Sequence, residues 1–326
     1  MKLPRRTVLQ FAGGAAVGSV CSRSATAQTY PTRAITLIIS FTAGGSADAV
    51  GRIVAEGMRR SLGQPIIIEN ITGAEGSIGT GRAAHARPDG YTIDLGNIST
   101  HVLNGALYSL QYDLLTDFAP ISALVTFPYI LFGRRTVPAR DLVELIAWLK
   151  SNPHRASIGF STVGGRLLSV SLKQETGTQF AIVPYRGGAA ALQDLVAGQI
   201  DLVFYPPDGL SLLRAGGIKA YAVTSDRRLS IAPELPTAGE VGLPALSFSN
   251  WQGLFAPHGT PKDIIDRLNR AAMDALDDPA IRARFDNLGF EIFPGARTTP
   301  EALRALVKAD AEKWWPIIKR AGLELE

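Results

Sequence analysis

The sequence predicts a two-lobed α/β fold with a cleft between the lobes. Three observations predict it. Strand-like and helix-like segments alternate, the order expected when helices cover mainly parallel sheets. The alternation runs twice, on either side of the apolar stretch LVTFPYILF (Leu124 to Phe132). A second apolar, strand-like stretch, SFSNWQGLFAP (Ser247 to Pro257), stands where the chain would return to the first lobe.

Taken in order, AITLIIS (Ala34 to Ser40) reads as a buried strand. Ala47 to Leu62 follows as a helix, with Val50, Val54 and Met58 spaced by four. PIIIEN (Pro65 to Asn70) is a strand, Ile78 to Ala86 a helix and YTIDLG (Tyr91 to Gly96) a third strand. In the second half, helices are expected at Asp141 to Lys150, Leu167 to Glu175 and Ala189 to Ala197. Between and after them, strands are expected at Ala156 to Phe160, Phe180 to Tyr185, Ile200 to Tyr205 and Ile218 to Ser225. The last third is helical. Thr260-Pro261, Asp278-Pro279 and Thr299-Pro300 each put a capping side chain before a first-turn proline. Ile264, Ile265, Leu268, Ala272 and Leu276 make one apolar stripe, read as core. The expected division is 1–27 signal, 28–126 first lobe, 127–248 second lobe and 249–326 the return segment.

The start of the chain reads as an export signal. Met1 to Arg6 is basic, Val8 to Val20 apolar, and ATA (Ala25 to Ala27) is a small-x-small cleavage pattern, so the mature chain is expected to begin at Gln28 outside the cytoplasm, in the periplasm. RRTVLQ resembles a twin-arginine signal except that Val8 follows where an aromatic is usual, and an ordinary Sec signal is the alternative. Val20 before Cys21 speaks against lipidation, and without Cys21 the mature chain has no cysteine. Of 33 Lys and Arg, four (Lys2, Arg5, Arg6 and Arg23) lie in this segment. The rest equal the Asp and Glu, 29 of each, so the mature chain offers nucleic acid no net positive charge.

Several chemistries are missing. GAEGSIG spaces its glycines unlike a dinucleotide loop, and FTAGGSAD lacks the lysine of a phosphate-binding P-loop. GFSTVG has Val163 where a nucleophile elbow has glycine. The four histidines show no metal-ligand spacing, so neither cofactor nor metal is expected. What recurs is a small, polar, glycine-rich turn after a strand: Phe41 to Ser46, Asn97 to His101, Ser161 to Gly165 and Arg186 to Gly188. Such turns aim N–H groups and helix N-termini at an anion without needing net positive charge.

These segments together resemble the Bug family (TctC-like) of periplasmic solute-binding proteins of tripartite tricarboxylate transporters. The resemblance rests on six blocks in register over the mature chain, among them YPTRAITLIISFTAGGSADAVGRIVAEGMRRSLGQPIIIEN, PDGYTIDLGNISTHVLNGALY, VPYRGGAAALQDLVAGQIDLVF and GLFAPHGTPKDIIDRLN. It implies a flytrap-like fold that binds a small organic carboxylate and hands it to membrane permease subunits. It also implies the residues that hold the ligand: Thr42, Ala43, Gly44, Gly45, Ser46, Asp48, Ser99, Thr100 and His101 from the first lobe, and Ser161, Thr162, Tyr185 and Arg186 from the second. Three departures stand out. Thr42 and Ala43 replace a loop with proline. Arg166 stands where the family has histidine. Tyr205-Pro206, with Asp208 nearby, replaces an Asp-Asn pair. Arg166 either clamps a second carboxylate or is a solvated helix residue, and Tyr205 either stacks on an aromatic acid or packs on the cleft wall. Two other readings are a ligand-sensing partner of a membrane receptor and a serine hydrolase using Ser161 with His101.

Overall fold

The computed structural model describes residues 30–320. The expected signal segment lies outside them. The first strand, β1 (Ile35–Ile39), leads into α1 (Ser46–Leu62), β2 (Ile66–Asn70), α2 (Ser77–Ala84) and β3 (Thr92–Asn97). A π-helical turn over Ser99–Leu103 and the short α3 (Asn104–Leu107) precede β4 (Phe118–Pro128). Then come β5 (Ile130–Arg134), α4 (Leu142–Ser151), β6 (Ser157–Phe160), α5 (Val163–Thr176), β7 (Ala181–Pro184), α6 (Gly188–Ala197), β8 (Leu202–Tyr205), α7 (Leu210–Arg214) and β9 (Ile218–Val223). The chain ends with β10 (Ser249–Pro257), α8 (Lys262–Asp277), α9 (Pro279–Leu288), β11 (Glu291–Ile292) and α10 (Pro300–Arg320).

These strands form two sheets, one per lobe, ordered β11-β4-β10-β3-β1-β2 and β7-β6-β8-β5-β9. The expectation of mainly parallel sheets needs correction. The pairs β1–β2, β1–β3, β6–β7 and β6–β8 are parallel, but every pair made by β4, β5 or β10 is antiparallel. The strands next to the crossing reverse direction because they return the chain.

The stretch Leu124 to Phe132 is shared as expected: β4 belongs to the first sheet and β5 to the second, with Tyr129 between them. Ser247 to Pro257 is not shared. β10 lies wholly in the first sheet, and the return is made by the segment 224–248. Thr224 ties both crossings together: its Oγ1 accepts from Tyr129 N at 2.9 Å and donates to Phe248 O at 2.6 Å, while its backbone N–H donates to Tyr129 O at 2.9 Å.

The apolar stripe of α8 is core. Ile265, Leu268, Ala272 and Leu276 are buried, Ile264 partly so, and each buried Ile or Leu contributes roughly 1.5–3 kcal/mol. The α8 stripe meets α1, where Gly57 lets the helices approach: a Cβ there would lie 2.5 Å from Ala275 Cβ and from Ile281 Cδ1. Two of the three expected caps form. Asp278 accepts from Ala280 N and Ile281 N, and Thr299 from Ala302 N. At α8 the cap fails: the helix starts after Pro261, and the Thr260 hydroxyl donates back to Pro257 O at 2.8 Å.

Candidate functional site

The carboxyl ends of β1, β6, β7 and β8 face the crossing, where ligands of open α/β sheets gather. After β1, Gly44 turns the chain at φ +80°, a conformation that glycine adopts without a Cβ penalty. Asp48 holds this loop: its carboxylate accepts from Gly44 N (3.0 Å), Arg52 Nε (2.8 Å) and Asn70 Nδ2 (3.1 Å). Burial opposes its ionisation, yet these bonds outweigh it and hold the carboxyl below its usual range. The loop delivers Gly45 as the N-cap of α1, with no side chain capping the exposed N–H groups.

The second lobe mirrors this. Gly187 is the N-cap of α6 and also lacks a side-chain cap, while Thr162 caps α5 through Gly165 N at 3.2 Å. The lobes are shut on each other here: a Cβ on Gly187 would stand 1.8 Å from Thr42 Oγ1. The cavity between them, about 50 Å³, is lined by the starts of α1 and α6, by Thr42, Ser161 and Thr162, by the rings of Phe41, Phe127, Tyr129, Phe204 and Tyr205, and by the amides of Asn97, Asn250 and Gln252. Among the described residues no charged side chain lines it. The N-termini of α1 and α6 supply a positive potential and free donors, so the cavity suits an anion without a counter-ion. A larger groove of about 640 Å³ on the first lobe, along α2 and the edge of the sheet, has no such convergence of helix starts.

The implied residues divide. Thr42, Gly45, Ser46, Ser161, Thr162 and Tyr205 line the cavity. Ala43 and Gly44 are exposed, and Asp48 stands behind the loop as its brace. Tyr185 and Arg186 line an outer chamber of about 360 Å³ that shares Phe41 and Ser161 with the cavity, and Tyr185 donates to Asp194 at 2.8 Å. Arg166 is not in the lining; it points to Glu75, 3.9 Å away. Asp208 sits just outside the wall, accepting from Ser46 Oγ at 2.8 Å.

The "STH" stretch behaves differently from expectation. Ser99 is fully buried and its hydroxyl accepts from Gly164 N at 3.2 Å, bridging the lobes. Thr100 N donates to Asn97 Oδ1 at 3.0 Å, and so orients a residue that does line the cavity. His101 belongs to the core: its ring stacks on Phe255 (centroids 3.9 Å apart) and leans on Phe118. The π-helical turn carries it inward, away from the cleft. Its nitrogens face Thr100 Oγ1 (3.1 Å) and Asp94 (3.5 Å), so it is no base for Ser161. Burial pushes the His101 imidazole down and the Asp94 carboxyl up, leaving both neutral.

Asn97 opens one of the four turns singled out above but was not among the implied ligand residues, and neither were Asn250 and Gln252. A signal existed for the last two: polar residues two apart in the apolar strand β10 point to one side.

A match to the family model described as "Tripartite tricarboxylate transporter family receptor" spans residues 50–323. The chain belongs to this family. Protein BugT of Bordetella pertussis is 32% identical to the receptor over 92% of this chain and 93% of its own. Among solved structures, the periplasmic binding protein BugD superposes with a TM-score of 0.87 at 35% identity, covering 91% of this chain and all of that one. MatC from Rhodopseudomonas palustris, with bound malate, superposes at 0.85 and 35% identity, covering 89% and 100%. These relatives carry the two-lobed binding-protein fold. The receptor is a solute-binding protein of that family and not an enzyme, so the hydrolase alternative falls. No helix of the described residues is long and apolar enough to cross a membrane.

Proposed function

We propose that this receptor captures a small organic carboxylate in the periplasm and presents it to the permease subunits of a tripartite tricarboxylate-type transporter. One observation carries the reading: the uncapped N-termini of α1 and α6, from opposite lobes, meet on one cavity that, among the described residues, has no charged side chain in its lining. A carboxylate there accepts N–H and hydroxyl hydrogen bonds from both lobes at once, so binding favours the closed arrangement over an open one. Closure also changes the outline of the rim, which is what a permease can read. The malate held by MatC supports the ligand class by kinship. In this reading residues 1–27 direct export and are cleaved before Gln28, residues 28–126 and 249–326 form one lobe, and 127–248 form the other.

The test is a thermal-shift panel on the chain from Gln28, unfolded and refolded to strip ligand, against acetate, butanoate, succinate, malate, citrate and benzoate. A ligand at about 100 times its Kd adds roughly 2.7 kcal/mol to stability, a readable shift. No shift with any carboxylate refutes the proposal.

A further inference from the structure

Asp208 ties the lobes together at the start of α1. It lies in the turn Pro207–Gly209 after β8, in the second lobe, and its Oδ2 accepts at 2.8 Å from the hydroxyl of Ser46, the first residue of α1. Its Oδ1 is sealed from solvent and has no partner among the described residues. The carboxyl is outside the cavity lining but only one serine away from it, because Ser46 lines the cavity. No cation among the described residues stands against it. Arg52 is held on Asp48, Arg166 is turned to Glu75, Arg214 bonds Ile231 O and Arg186 lies in the outer chamber. The end of α9 packs on the turn through Gly289 and Pro207; there Arg282 and Arg284 pair with Asp277 and Glu56, and Asp286 is exposed. The titratable groups that do face Asp208 are Tyr129 and Tyr205, phenols that burial keeps neutral. Burial outweighs the Ser46 hydroxyl and the N–H groups of the turn, and pushes the Asp208 carboxyl up to about 6.

Solute and acid therefore compete for one place. An anion docked on the N–H groups at the start of α1 stands across Ser46 from Asp208, and the single hydroxyl hydrogen of Ser46 is already given to Asp208. Two carboxylates this close, shut away from water, cannot both stay ionised cheaply, and a proton on one of them relieves the repulsion. We propose that the receptor captures a proton together with its solute: closing on a carboxylate at the start of α1 protonates Asp208. This rests on the carboxylate reading above. The proton comes from solvent and sits on Oδ1, so Oδ2 still accepts from Ser46 and the tie across the lobes survives. Opening returns the carboxyl to water, where it ionises, so proton and solute leave together.

Titration calorimetry on the chain from Gln28 tests this with acetate, butanoate, benzoate and malate. All four are ionised at pH 6.5 and above, so a proton taken up there goes to the receptor. At pH 7, runs in buffers of different ionisation enthalpy should show uptake of about half a proton or more per acid bound, and Kd should rise about threefold or more from pH 6.5 to pH 7.5. Asp208→Asn keeps the shape and the oxygen that Ser46 reaches. It should take up no proton, and its Kd should stay within about 1.5-fold over the same range. Asp208→Ala, checked by its melting curve, gives the same reading if the first variant folds poorly. Binding without proton uptake, or an uptake that survives both substitutions, would overturn the inference and leave carboxylate binding intact. Absence of binding by every acid would sink both readings.

Discussion

Gly187→Ala should uncouple ligand binding from folding. Gly187 sits at φ −168°, ψ 155°, extended backbone that alanine adopts without strain. The new methyl would meet Thr42 Oγ1 at 1.8 Å and Thr42 Cβ and Cγ2 at 2.9 Å, against an ordinary separation of about 3.5–4.0 Å. Thr42 belongs to the first lobe, so the clash is relieved by the lobes standing further apart. A carboxylate held by the first lobe then loses its bonds to the start of α6 and to Ser161. Each hydrogen bond to a charged group contributes about 1.5–3 kcal/mol, so losing two costs about 3–6 kcal/mol. That is roughly a 10²- to 10⁴-fold rise in Kd. Titration calorimetry with whichever acid of the panel binds tightest measures the loss. Urea denaturation without ligand should change by no more than about 0.5 kcal/mol. Thr42→Gly in the same background should recover at least tenfold in affinity. An affinity for Gly187→Ala within twofold of the parent would refute the reasoning, because the bound lobes would then not meet at this contact.

Two further outcomes are expected. Asp208 has a folded-state pKa raised to about 6 from 3.8, so its carboxyl is neutral in the native state over a range where the unfolded chain is already ionised. The sign follows: native stability is fully present below about pH 4, is lost as pH rises to about 6, and stays lower above that. At 1.36 kcal/mol per pK unit the upper bound is about 3 kcal/mol, so Asp208→Asn should gain up to that amount on the parent between pH 4 and pH 8 in urea titrations. A pH-independent difference would place the carboxyl in water. Gly57→Ala should destabilise by about 1–3 kcal/mol through overpacking of α1 against Ala275 and Ile281. A neutral effect would mean the helices have room to shift.

Much of the fold was legible because its signals are local. The Phe41 to Ser46 turn announced itself through glycines between an apolar run and a helical pattern, and Gly44 indeed adopts positive φ. The helix start near Arg166 was placed too late, since VGG at the head of α5 carries no apolar periodicity. The site was less legible, because a side chain's direction depends on turns that residue type does not encode. His101 follows two hydroxyl residues and reads as a ligand, yet one π-helical turn buries it against Phe255. Arg166 had two readings, and what decided its direction was Glu75, far off in sequence and held at φ 50°. Tyr205 packs on the cavity wall, where Gly188 makes room for its ring.

The crossing between lobes has a mechanical consequence. Tyr129 is the single residue between β4 and β5, and its hydroxyl meets Thr162 Oγ1 at 3.1 Å, the same oxygen that caps α5. Pivot and cap are thus geared together. A swing of the lobes about Tyr129 would therefore be felt first at the collar of α5, whose cap shares that oxygen and whose Thr162 lines the cavity.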